Sequence, residues 1–170
     1  MPLRRIQQED LELMLSWRNH PTVRLGMFSQ SVIELAQHRG WFRRESEKET
    51  SLWLLYLDTE GNPAGVVYFT DIDSVSSHAF WGFYAAPRAR PGTGTRMGVE
   101  ALDHFFTELG FHKLSAEVLE SNERSQHFHC KLGFQVEGMF RDQYRECENF
   151  QNVTRFGLLA SEWAMRLSEF

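Results

Sequence analysis

Short apolar runs alternate along the chain with polar, turn-forming clusters, and the apolar spacing switches between period two and period three-to-four. Met1 to Ile6 reads as a short strand, and Asp10 then caps a helix whose apolar face is Leu11, Met14 and Leu15, before Pro21 blocks its continuation. Ser31 and Glu34 have the spacing of a capping box, and Leu35, His38 and Phe42 behind them fall on one face of a second helix. Ser51 to Leu57 and Gly65 to Thr70 are strand runs joined by Glu60-Gly61-Asn62-Pro63, whose glycine, asparagine and proline suit a turn. His78 to Ala85 adds a third strand after the polar stretch Asp71 to Ser77, which predicts an antiparallel meander.

The pattern then changes. Pro87 to Gly94 is proline, arginine and glycine, and Met97, Ala101, Leu102, Phe105, Phe106 and Leu109 trace the apolar face of a helix that Gly110 ends. Lys113 to Leu119 is the next strand, Asn122 caps a short helix ending near Leu132, and Gly133 stops it. Phe134 to Arg145 and Phe150 to Leu159 predict a final hairpin, and Glu162 to Leu167 a closing helix. No repeat or linker interrupts residues 1–170, so they read as a single domain of the α/β (α+β) class.

Composition narrows the functional classes. A chain of 170 residues, 42% hydrophobic, buries a core large enough to carry a cleft without disulfides or metal. Its 14 Phe and 5 Trp suit an aromatic core, a pocket wall or a homodimer face. A net charge of -5 argues against a nucleic-acid partner, whose binding needs a basic face. Cys130 and Cys147 have no metal-ligand spacing, so free thiols in a reducing cytoplasm and no metal are expected. No window approaches the ~20 apolar residues of a membrane span, which predicts a soluble, cytoplasmic protein with no membrane partner.

One segment carries chemistry. Strand, then Arg88-Ala89-Arg90-Pro91-Gly92-Thr93-Gly94, then helix aims backbone N–H groups and the positive end of a helix at one small region. Glycines let the main chain approach phosphate oxygens, and Arg88 or Arg90 adds charge from the rim. The same residues also make a plain strand-to-helix turn with solubilising arginines, and the local pattern does not choose. The third glycine of a dinucleotide fingerprint and the Gly-Lys-Ser/Thr ending of a P-loop are both missing.

Gly92-Thr93-Gly94 opening a helix after the fourth strand, Asn122 and Ser125 starting the next helix, and Lys131-Leu132-Gly133-Phe134 ending it resemble the GCN5-related N-acetyltransferases, over nearly the whole chain. The resemblance implies a mixed, mostly antiparallel sheet of about seven strands, splayed between the fourth and fifth and flanked by helices. It also implies acetyl-CoA as co-substrate, its pantetheine arm along Phe83, Tyr84 and Ala85, its diphosphate on the loop holding Arg88, Arg90, Gly92, Thr93, Gly94 and Thr95, with Asn122 and Ser125 on the pantetheine side. Ala89 stands where the family usually has Arg or Gln, but the main donors are backbone amides.

Trp17-Arg18-Asn19-His20-Pro21, Val23-Arg24, Met27-Phe28, His38-Gly40-Trp41-Phe42 and the closing Gly157-Leu158-Leu159 with Glu162-Trp163 are similar to one branch of that family. The branch includes ribosomal-protein N-terminal acetyltransferases and enzymes acetylating the 4-amino group of a UDP-linked amino-deoxy sugar in pseudaminic acid synthesis, the latter more similar here. Arg18 and Arg24 then suit UDP phosphates, His20 and His38 sugar or phosphate oxygens, and Met27, Phe28 and Trp41 apolar parts of the acceptor. Helix packing and solvent-facing arginines explain the same residues without a ligand. A protein N-terminus and a non-catalytic acyl-CoA module are the competing readings.

Direct attack of a neutral amine on the thioester needs donors for the carbonyl oxygen, expected at backbone N–H groups near Tyr84, and a proton for the leaving thiolate. His129 occupies the position of the family's usual tyrosine acid, and an imidazole near ~6.5 is close to a thiol near ~8.5. A sugar amine resembling an α-amine, pKa about 8, needs no strong base. Glu117, His78 or a water can take its proton, with Glu117 named as the candidate.

Overall fold

The computed structural model describes residues 2–170, Glu146 by its backbone only, so the Met1 end of the expected first strand lies outside the described residues. Strands β1 (Leu3–Arg5), β2 (Leu52–Leu57), β3 (Pro63–Asp73), β4 (His78–Ala85), β5 (Lys113–Leu119), β6 (Gln135–Glu146) and β7 (Asn149–Leu159) form one sheet in the order β1-β2-β3-β4-β5-β7-β6. Helices α1 (Leu11–Arg18), α2 (Pro21–Arg24), α3 (Leu35–Ser46), α4 (Thr93–Asp103), α5 (Glu123–Leu132) and α6 (Ala160–Arg166) flank it. All strand pairs are antiparallel except β4 with β5.

That parallel pair is short. His78, Ala79 and Phe80 lie opposite Lys113, Leu114 and Ser115, and beyond Phe80 the strands part. The alternation of side chains gives the sheet two unlike faces. Ala79 and Trp81 join Leu114, Ala116 and Val118 in the larger core, closed by Met97, Ala101 and Leu102 of α4, Leu132 of α5 and Trp163 of α6. On the other face Tyr84 joins Leu55 and Val66 against Leu11, Met14 and Trp17 of α1.

Three local expectations are corrected by tertiary contacts. Asp10 does not cap α1: it ends a 3-10 turn, and its carboxylate accepts from both terminal nitrogens of Arg4 at 2.7 Å and from the Gln7 N–H at 2.8 Å. The bidentate guanidinium is the stronger partner, and it holds the Asp10 carboxyl below the usual range. The second helix starts a turn after Ser31, with Glu34 as N-cap and the Gln37 side chain accepting from its N–H at 3.1 Å. Asn19 is the reason: its side chain donates to the Ile33 carbonyl at 2.8 Å and accepts from the Ile33 N–H at 2.9 Å, holding that segment out of helix. Leu109 is 39% exposed because a π turn at His104–Glu108 rotates it off the buried face that Phe105 and Phe106 keep.

Helix α4 sits against α5 only because Gly98 has no side chain: a Cβ there would come 2.9 Å from Phe128 Cζ and 3.0 Å from Leu132 Cδ1. Gly98→Val is expected to cost about 1–3 kcal/mol in denaturant unfolding, the usual penalty of overpacking. Gly94→Ala, whose Cβ meets nothing within 4 Å, should leave the midpoint near the wild-type value.

Candidate active site

Where β4 and β5 separate, a cleft of about 1040 Å³ runs through the sheet. Phe83, Tyr84 and Ala85 form one wall, Ala116 and Glu117 the other, and the loop from Ala89 to Thr95 closes one end. The sheet offers those strand segments no partner across the gap, so their backbone groups are available to an extended ligand.

At the loop, Gly92 adopts φ 84°, a left-handed conformation that glycine tolerates without a Cβ penalty, and no side chain caps α4. The first-turn amides of Gly94 and Thr95, and with them the positive end of an 11-residue helix, are left, among the described residues, without a protein acceptor beside the cleft, while the Thr93 N–H donates to the Arg90 carbonyl at 3.1 Å. Lys131 of α5 adds charge, its Nζ donating to Thr95 Oγ1 at 3.2 Å, and Arg124, in the first turn of α5, also lines the cleft. Arg90 borders the cleft and pairs with Glu60 at 2.7 Å, whereas Arg88 faces a neighbouring depression shared with His20. Backbone amides, the Lys131 ammonium and small residues make this end suited to a diphosphate. Lys131 was assigned no role from the sequence, because it comes from a helix that only the fold brings to the loop.

The segment after α2 roofs the cleft. Asn122 caps α5, accepting from the Ser125 N–H at 3.1 Å, and also donates to the Gly26 carbonyl at 3.2 Å. Phe28 meets Tyr144 of β6 edge-on at 5.2 Å, and the Tyr144 hydroxyl donates to the Phe28 carbonyl. Met27 and Phe28 therefore line the cleft on the α1 face with Tyr68, Asp71 and Phe80.

The other expected acceptor residues stand behind this wall. Arg18 donates to the Ser29 carbonyl at 2.6 Å and Arg24 to the Gln30 carbonyl at 3.2 Å. Among the described residues, Arg18 Nη1 and Arg24 Nε are buried without a partner, and neither guanidinium meets a carboxylate. Burial lowers the Arg18 pKa, Tyr84 and Tyr68 counteract it, and Arg24 adds to the lowering. His38 is buried beside them, its pKa lowered by burial and then by Arg18, and it stacks on Trp41 at 4.9 Å. Neither His38 nor Trp41 lines the cleft. His20 caps α2, its Nδ1 accepting from the Thr22 N–H at 3.3 Å, and it too lies away from the cleft.

Of the candidate proton carriers, His129 and Glu117 line the cleft. His129 is 3% exposed, stacks on Phe156 at 5.3 Å and is ringed by Trp81, Phe83 and Phe134. Its Nδ1 lies 2.7 Å from the Ser125 carbonyl, which assigns the ring proton to Nδ1, and Nε2 is buried without a partner. Burial pushes its pKa down to about 4, against a smaller opposing effect of the Ser125 hydrogen bond. The ring is neutral at pH 7, and Nε2 is an acceptor. Glu117 receives Arg155 Nε at 3.1 Å, and that guanidinium lies 4.6 Å over the Phe80 ring. His78 shares a hydrogen bond with Ser115 Oγ at 2.9 Å at the closed end of the splay.

Comparison with known proteins agrees with this geometry. Residues 1–135 match the acetyltransferase (GNAT) domain model, and the chain belongs to that family of acetyl-CoA-dependent N-acetyltransferases. It is 26% identical to spermidine N(1)-acetyltransferase of Escherichia coli K12, across 95% of this chain and 87% of that protein. It is 24% identical to acetyltransferase PseH of Campylobacter jejuni, across 84% and 87%. The crystal structure of spermidine N-acetyltransferase from Vibrio cholerae in complex with CoA and spermine superposes with a TM-score of 0.87 at 21% identity, covering 95% of this chain and 96% of that one. Among the described residues no helix is long and apolar enough to cross a membrane, and no cluster of potential metal ligands occurs.

The neutral, buried His129 sets a pH dependence of stability. Its folded pKa of about 4 lies below the ordinary ~6.5, so the unfolded chain binds the proton first as pH falls. Its contribution is complete above pH ~6.5 and is lost as pH drops toward 4, on the order of 3 kcal/mol in total. His129→Phe should flatten the unfolding free energy between pH 7 and 4 relative to wild type, read from urea curves across that range.

Proposed function

We propose that the chain acetylates the amino group of an anionic small acceptor, a UDP-linked amino-deoxy sugar, by direct attack on the thioester of acetyl-CoA. The observation that carries the acceptor class is the pair Arg18 and Arg24, two half-buried guanidiniums behind the α1 side of the cleft with unpartnered nitrogens and, among the described residues, no carboxylate beside them. Positive charge so placed attracts phosphates and opposes a polycation. His38 next to Arg18 adds a polar group to the same cluster. Met27, Phe28 and Phe80 supply apolar surface for a deoxy-sugar methyl.

For the donor half, the lining of the cleft supports pantetheine along Phe83, Tyr84 and Ala85, diphosphate on Gly92 to Thr95 with Lys131, and Asn122 and Ser125 at the α5 end. Arg90 serves at the rim, and Arg88 is placed to act only on a longer ligand. His129, neutral and with Nε2 unoccupied by protein, serves as an acceptor near the thiol rather than as its acid. Glu117 remains the candidate to receive the amine proton, with Arg155 donating to its carboxylate and holding it at the cleft wall.

A second reading, polyamine acetylation, has its own support. Relatives and neighbours that act on spermidine cover nearly the full chain, and Asp71 and Glu117 offer carboxylates on the α1 face. The assay that separates them measures CoA release with a UDP-4-amino sugar, spermidine and Ala- or Ser-starting peptides. Turnover should be highest with the nucleotide sugar, and turnover confined to spermidine or peptide would reject the proposal. Arg24→Gln should raise the acceptor KM about tenfold to a hundredfold, the worth of a hydrogen bond to a charged group, with the acetyl-CoA KM unchanged.

A further inference from the structure

Tyr68 points its phenol across β4 at the place where the sheet opens. It lies opposite Gly82 in the β3–β4 register, and a Cβ on Gly82 would overlap the Tyr68 Cζ and Oη. Only glycine at 82 lets the ring lie over that backbone. Gly82 is two residues past Phe80, the last residue of β4 that pairs with β5. The hydroxyl thus reaches the head of the gap, next to the strand segment Phe83 to Ala85.

Its orientation is over-determined. The ring stacks on Trp53 at 4.1 Å with 19° between planes, and Trp53 is held edge-on by Trp41 at 4.5 Å, which in turn stacks on His38. The ring is partly buried and lines the cleft, and its hydroxyl has no hydrogen-bond partner among the described residues. Burial raises its pKa above the ordinary value of 10, with Arg18 opposing, so the oxygen keeps its proton across the working range. A rigid, unspent O–H aimed into a reaction cleft is a preorganised donor.

We propose that the Tyr68 hydroxyl donates a hydrogen bond to the carbonyl oxygen of the thioester, joining the backbone N–H groups near Tyr84 in stabilising the negative charge that collects there as the amine attacks. The proposal rests on the acetyltransferase reading but on no particular acceptor. It also gives the aromatic column from His38 to Trp53 a purpose, since each ring fixes the next and the last fixes the donor.

Tyr68→Phe keeps the ring and deletes only the donor. Its kcat should fall about a hundredfold to a thousandfold while the acetyl-CoA KM stays within a few-fold, the signature of an interaction strengthened in the transition state. With acetyl-CoA labelled with 13C at the carbonyl and no acceptor present, the bound C=O stretch should lie at lower frequency in the wild type than in Tyr68→Phe. Gly82→Ala, which displaces the phenol while leaving it in the chain, should reproduce the shift. An unchanged carbonyl frequency in Tyr68→Phe overturns the proposal whichever acceptor is used, as does a kcat within threefold of wild type. Failure of the nucleotide-sugar reading shows separately, as a wild type idle on that acceptor with its carbonyl shift intact.

Discussion

Everything functional in this molecule depends on the early parting of two parallel strands. After Phe80 and Ser115 the ladder between β4 and β5 stops, and the backbone groups that a continuous sheet would have consumed are left to a ligand. Such a break is costly in isolation. It persists because each strand is held on its far side, β4 by β3 through a register running from Gly65 to Asp73 and β5 by β7 along its whole length. The two cores on opposite faces then keep the gap at a set width.

The split divides the chemistry as well as the sheet. On the α4–α5 side the free amides of Gly94 and Thr95 lie beside Lys131, an environment suited to phosphate. On the α1–α3 side the wall is aromatic, with arginines behind it and the Asp71 and Glu117 carboxylates at its edge. Family membership establishes acetyl transfer from acetyl-CoA to an amine, and in the proposed reading the charges on the α1 side select the amine.

His129 shows how burial changes a residue's chemistry without moving it. The helix places it beside the gap, as its neighbours Lys131-Leu132-Gly133-Phe134 suggest, but five aromatic rings and the Ser125 carbonyl leave it neutral. A histidine in water is a proton donor near neutrality; this one is an acceptor. Desolvation of the charged form is the cause.

The strand runs, the αL glycines at Gly92, Gly110 and Gly133, the Asn122 cap and the glycine loop were legible in the sequence, because each depends on dihedral preference or on hydrogen bonds within a few residues. Partner choice across long separations was not. Arg4 diverts Asp10 from its helix, Asn19 pins Ile33 and delays α3, Lys131 arrives at Thr95 from another helix, and Tyr68 lies over Gly82 from the adjacent strand. Local spacing therefore determined the elements and the glycine loop before α4. Only the three-dimensional packing decided which side chains are desolvated, which are already bound to the protein and which remain free for a substrate, since those are properties of neighbours far apart in the chain.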